Sequence, residues 1–155
     1  MKQKSTADLR IIGRTERVDF PDWELFDLAA KVDTGAYTSS LHCHHIERRG
    51  TKGHQKVRFN LLDPTHEAYD EKRFELPVFD VRDVRSSNGQ VQRRIIVQAH
   101  IRMFGESMPI ELSLTDRSEM RYPILLGRKF LQHRFIVDVA KVNQSKKSTK
   151  KKSHS

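Results

Sequence analysis

Asp33, with Thr34 and Gly35 after it, is delivered to a tight turn straight from a mostly apolar run, Leu28-Ala29-Ala30-Lys31-Val32. An acid so placed sits on a loop held by a buried strand, where it can give or take a proton without the strand moving. Taken alone, the triplet also fits an ordinary strand end at which Asp opens a turn. Further on, His42-Cys43-His44-His45 sets four metal-ligating side chains in a row. Side chains alternate faces along a strand, so His42 and His44 point one way and Cys43 and His45 the other, and four consecutive residues cannot close a tetrahedron around zinc. A zinc site built on His42, Cys43 and His44 needs remote partners such as His54, His66, His100 or His133, and no His-Glu-x-x-His pattern occurs.

The elements that must position these groups are mostly strands. Leu9 to Gly13 and Glu16 to Phe20 read as two strands joined by a turn and closed by Pro21, with Trp23, Leu25 and Phe26 in a loop-like segment before the Asp33 strand. Thr38 to His42 leads away from the Asp33 loop, and Val57, Phe59 and Leu61 alternate with polar residues as on a half-buried strand. Thr65 to Lys72 reads as an acidic and polar loop, and Phe74 to Phe79 as a further strand. Ser86-Ser87-Asn88-Gly89 is the clearest hairpin tip, since Asn-Gly accepts the positive φ angles of a two-residue turn. Ile95, Val97, Ala99, Ile101 and Met103 alternate up to Gly105, and Ile110, Leu112 and Leu114 answer them on the return. Tyr122 to Leu126 is a second buried strand that breaks at Gly127 into one short helix near residues 127–133, before a last strand from Phe135 to Val139. No helical period is sustained from 9 to 120, so the domain is expected to be mostly β.

At 155 residues the chain suits one domain, and a composition 36% hydrophobic and 32% charged leaves little for a second core. Of the net charge of +9, six lysines from Lys141 onward contribute +6, which leaves +3 for residues 1–140. Residues 1–8 and the Ser/Lys/Thr stretch 143–155 are expected to be disordered, with the domain between them at 9–142, because a tail without apolar residues cannot offset its ordering entropy. Such a tail offers weak, salt-sensitive attraction to nucleic acid at most. The lone Cys43 makes no internal disulfide, and no apolar run reaches a membrane span or a signal-peptide core. These features place the expected location in the cytoplasm.

Several motifs in order carry a resemblance. They are Gly13-Arg14, Glu16, Ala30 to Ala36, Thr38 to His42, Arg82, Val84 to Gly89, Arg93-Arg94, Glu111 to Leu114, Arg117, Met120, Pro123 and Leu125 to Arg128. Over roughly residues 10–142 the chain resembles the bacterial family labelled ATP-dependent zinc protease, associated with RimK-type glutamate ligases and similar to retropepsin-like aspartic proteases. The resemblance implies a closed acid-protease-like β-barrel, with Asp33 as the catalytic acid in a loop completed by Thr34, Gly35 and Ala36. Hydrolysis by that route needs two carboxylates sharing one proton. The chain has a single Asp-Thr-Gly, so the pair must form across a twofold homodimer.

By the same resemblance, Thr34 locks the two loops together and Gly35 leaves room for water and the peptide substrate. Ser86, Ser87, Asn88 and Gly89 tip a flap, and after Gly127, Arg128 pairs with an acid beneath the site. Ala36 stands where many acid-active relatives carry Ser, which suits weakly acidic to neutral working conditions. The family label implies zinc instead, and ATP, although no Gly-x-x-x-x-Gly-Lys-Ser/Thr loop is present. A third reading keeps the fold without cutting: a regulatory module for a RimK-type ligase or its glutamate-rich product, with Arg82, Arg85, Arg93 and Arg94 meeting acidic side chains.

Overall fold

The computed structural model describes residues 8–51, 53–61, 73–85, 87–116 and 122–147. The expected loop from Thr65 to Lys72, residue Ser86 and the end of the basic tail lie outside them.

Strands dominate. In chain order they are β1 (Arg10–Ile12), β2 (Thr15–Phe20), β3 (Leu25–Val32), β4 (Ser39–Arg49), β5 (Lys56–Leu61) and β6 (Arg73–Pro77). After these come β7 (Asp80–Arg85), β8 (Val91–Met103), β9 (Glu106–Thr115), β10 (Ile124–Leu126), the helix α1 (Arg128–Leu131) and β11 (Phe135–Val137). Six strands close into a ring in the order β10, β3, β2, β8, β9, β4, with β4 returning to β10. The inward alternation supplies its core: Val97 and Ile101 from β8, Leu112 and Leu114 from β9, Leu28 and Ala30 from β3, Leu41 from β4 and Ile124 from β10 are all buried. At about 1.5–3 kcal/mol for each large apolar side chain, these positions outweigh any single polar contact in holding the ring closed.

Two strand assignments differ from the sequence reading. β1 does not pair with β2 in a hairpin; it runs parallel to β11, with Ile11 opposite Ile136. Gly13 is the reason the chain can cross there, because a Cβ on it would lie 2.2 Å from the Lys141 carbonyl oxygen. The segment read as loop-like holds a short 3-10 turn, Pro21–Trp23, ended by Glu24 at φ 55°, after which Leu25 already opens β3. Trp23 stacks on Phe20 with ring centroids 4.8 Å apart, so the ring caps the core. β4 also runs well past His42. Past its pairing with β9, which ends at His42, it pairs with β5 from Cys43 on, and the register slips between His44 and Glu47 with His45 at φ 54°, a β-bulge.

The C-terminal boundary moves as well. Residues 144–147 form a second short helical turn, and Ser145 is 2% exposed. The buried Glu16 carboxylate explains this, since it accepts the backbone N–H groups of Gly13 (2.8 Å), Gln144 (3.0 Å) and Ser145 (2.9 Å). Lys146 Nζ donates to both oxygens of the buried Asp19 at 2.8 Å. Charge complementarity, with no apolar side chain involved, docks a segment that was expected to be loose. Among the described residues no helix is long and apolar enough to cross a membrane.

Candidate active site

The Asp33 loop is held from three directions. Asp33 N–H donates to the Leu126 carbonyl at 2.9 Å, which anchors the acid where β3 and β10 run side by side. Ala36 N–H closes the turn onto the Asp33 carbonyl at 3.2 Å, and Gly35 N–H donates to Asp33 Oδ1 at 2.9 Å. Ala36 is buried, whereas Thr34 and Gly35 face solvent and Asp33 is half-buried. Amides at the start of α1 then clamp the chain just beyond the loop: Gly127 to Ser39 Oγ (3.0 Å), Arg128 to the Ala36 carbonyl (2.9 Å) and Lys129 to the Tyr37 carbonyl (2.9 Å). Gly127 permits this approach, because a Cβ there would lie 2.8 Å from the Tyr37 oxygen.

Among the described residues Arg128 forms no ion pair with the acid the resemblance implied. Its Nη1 donates to the Thr34 carbonyl at 2.9 Å and its guanidinium lies over the Tyr37 ring at 5.7 Å. The side chain thus braces the loop from the backbone side and leaves the Asp33 carboxylate clear.

Above the loop stands the hairpin of β7 and β8. A Cβ on Gly35 would lie 3.0 Å from Ser87 Cβ and 3.2 Å from Asp33 Oδ1, so the hairpin tip rests on the acidic loop of its own protomer. The tip is not the two-residue turn expected from Asn-Gly. Among the described tip residues only Gly89 is left-handed (φ 89°), and Asn88 Oδ1 accepts from Gln90 N–H at 3.1 Å, which makes an Asx turn. The arginines around it are largely engaged: Arg82 with Asp80 (3.0 Å) and Glu111 (3.1 Å), Arg93 with Asp83 (3.5 Å), and Arg94 with Gln92 (2.9 Å). Arg85 Nη1 donates to the Gly89 carbonyl at 3.3 Å. Of the four arginines read for acidic ligands, Arg82 and Arg93 thus already face acids of this chain, while Arg85 and Arg94 bond to neutral oxygens.

The four candidate zinc ligands do not converge. Cys43 is in the core with its thiol 3.7 Å from the Leu41 carbonyl, and burial pushes its pKa up to about 12, which disfavours the thiolate a metal needs. His42 is buried, with desolvation lowering its pKa and no partner for Nε2 among the described residues, while the bulge stacks His44 on His45 at 4.4 Å. Nor does any group of three His, Cys, Asp or Glu side chains among the described residues have the arrangement to hold a metal ion.

Two contributors stood in the motifs of the sequence without a role of their own. Ser39 caps Gly127 from inside β4, and Glu111 stands between Ile110 and Leu112 with Lys129 Nζ at 2.9 Å. An acid amid an alternating apolar strand was the visible signal for Glu111. What the loop offers chemically is one half-exposed, backbone-oriented carboxylate per chain.

Residues 11–148 match the family described as RimB-like, retropepsin-like aspartic endopeptidase RimB. A probable alpha-L-glutamate ligase of Shewanella halifaxensis is 35% identical over 128 residues, covering 83% of this chain and 28% of the relative. One from Desulfotalea psychrophila is 31% identical over 131 residues, covering 84% and 28%. The chain therefore spans little more than a quarter of the length of these relatives. A solved structure of a Legionella pneumophila protein with unknown function (DUF785) superposes with a TM-score of 0.70 at 28% identity, covering 88% of this chain and 98% of that one.

Proposed function

Because this chain belongs to the RimB-like family of retropepsin-like aspartic endopeptidases, we propose that it hydrolyses peptide bonds with a pair of Asp33 carboxylates, one from each protomer of a homodimer. The observation that carries this reading is the loop geometry: a carboxylate held by the Gly35 amide and by β10, half-open to solvent beneath a hairpin tip. Two carboxylates a few ångströms apart cannot both ionise easily, so the pair shares one proton. The ionised member takes a proton from water as the water oxygen bonds to the carbonyl carbon, and the protonated member gives its proton to the carbonyl oxygen. Collapse then breaks the C–N bond, with a proton passing to the leaving nitrogen. Thr34 ties the two loops at the axis, Gly35 keeps the space for water, and the tip residues Ser87, Asn88 and Gly89, with Ser86 before them, cover the peptide.

A second reading concerns partners. The curated relatives carry the matching stretch inside far longer chains named as glutamate ligases. That fusion favours association of this domain with such a ligase, in the cytoplasm, whether or not it cuts. Incubation with peptide libraries, glutamate-rich ones included, with and without chelator, tests both readings. Turnover is expected, unchanged by chelator, and retained within a few-fold in His42→Ala and Cys43→Ala, whose side chains do not form a metal site among the described residues. Stoichiometric zinc whose removal abolishes turnover would overturn the aspartic reading, and binding without cleavage would favour the regulatory one.

A further inference from the structure

One carboxylate takes a cation from each of the two pieces that must close on a substrate. Glu111 lies on β9 with its side chain 20% exposed and directed away from the core residues Ile110 and Leu112. Its Oε2 accepts Lys129 Nζ at 2.9 Å, and its Oε1 lies 3.1 Å from Arg82 Nη1. Lys129 belongs to α1, whose backbone N–H groups at Arg128 and Lys129 donate to the Ala36 and Tyr37 carbonyls and whose Arg128 side chain donates to the Thr34 carbonyl. Arg82 belongs to the hairpin arm β7 (Asp80–Arg85), five residues before Ser87 at the tip.

From this ladder we infer that Glu111 is a positioning residue, which sets the spacing between the hairpin tip and the Asp33 loop. The inference rests on the peptidase reading, because that spacing is where a peptide would lie. The two contacts differ in kind. The Lys129 contact is an aligned hydrogen bond, whereas Oε1 is shielded from water and meets Arg82 as a charge contact without an aligned hydrogen bond. A directional bond fixes α1 to β9, while a non-directional one lets Arg82 shift as the hairpin lifts and draws it back afterward. Asp80, on the same strand, holds Arg82 Nε at 3.0 Å. Without the negative charge on Glu111, Arg82 and Lys129 face each other as like charges and the two pieces move apart.

The test uses the full chain with Glu111→Gln and Glu111→Asp, read by hydrogen exchange of the β7–β8 hairpin amides and by peptide hydrolysis. In Glu111→Gln, hairpin exchange is expected to rise about ten-fold with the ring amides unchanged, and kcat to fall about ten-fold with KM altered less than about three-fold, the scale of lost orientation. Glu111→Asp, which keeps the charge, restores most of both. If Glu111→Gln does not fold, Arg82→Gln is read by the same two criteria, because it breaks the hairpin side of the ladder from a more exposed position. Wild-type exchange and kcat in the folded variant, or an equal rise of exchange throughout the ring, would overturn the inference. The exchange arm needs no turnover, so an inactive wild-type protein would defeat the peptidase reading while still deciding the role of Glu111.

Discussion

Asp33→Asn is expected to lower kcat for peptide hydrolysis by at least about 10³-fold while the melting temperature and the association state stay within error of wild type. The magnitude follows from the work assigned to the pair: acid–base transfer by a positioned group is worth about 10²–10⁴, and both halves of the exchange are lost together when the shared proton has no second carboxylate. Stability should hold because Asn keeps the shape and the oxygen that can accept the Gly35 N–H, and because the other restraints on the loop, the backbone bonds to Leu126 and from Ala36 and the Arg128 bond to the Thr34 carbonyl, do not use the Asp33 side chain. Initial rates with one cleavable peptide, alongside a thermal melt and a mass measurement in solution, check the three parts at once.

Ending the chain after Val142 is expected to destabilise it by about 3–5 kcal/mol, the cost of leaving a buried charge without its partner. Two of the three amide donors to Glu16 come from Gln144 and Ser145, and Glu16 is only 1% exposed. The same cut removes Lys146 from Asp19, leaving the longer Arg102 contact at 3.4 Å and the Asp27 N–H at 2.8 Å. Water admitted by the missing segment recovers part of the loss. At about 2–4 °C per kcal/mol for a domain near this size, the melting temperature should drop by roughly 6–20 °C. A chain ending after Lys147 keeps every one of these bonds and is the control. Equal melting temperatures for the two truncations would show that the contacts to Glu16 and Asp19 contribute nothing.

The strands that position Asp33 were legible because their inward residues follow a two-residue period that only a half-buried strand satisfies, as Val97, Ile101 and Met103 do on β8. Gly127 was legible as a break in an apolar run. Its reason was not: the clash with the Tyr37 and Thr38 backbone exists only after β10 has paired with β3. The docked segment was missed for a related reason. A polar Asn-Gln-Ser-Lys stretch carries no apolar signal, and what holds it are two acids, Glu16 and Asp19, more than a hundred residues earlier in the chain. Periodicity reports burial of apolar faces and is silent on buried charges that find partners across the fold. The acceptor of Arg128 is a main-chain carbonyl, which no side-chain pattern encodes.

Whether the reacting pair comes from two chains can be read by mixing. Wild-type and Asp33→Asn protomers, unfolded together and refolded at varied ratios, would form two homodimers and a heterodimer holding one carboxylate. If both Asp33 side chains are needed, activity falls with the square of the wild-type fraction, to about a quarter of the full value in an equal mixture. A linear fall, to about half in that mixture, would mean that each chain works with its own carboxylate alone and would contradict the shared pair.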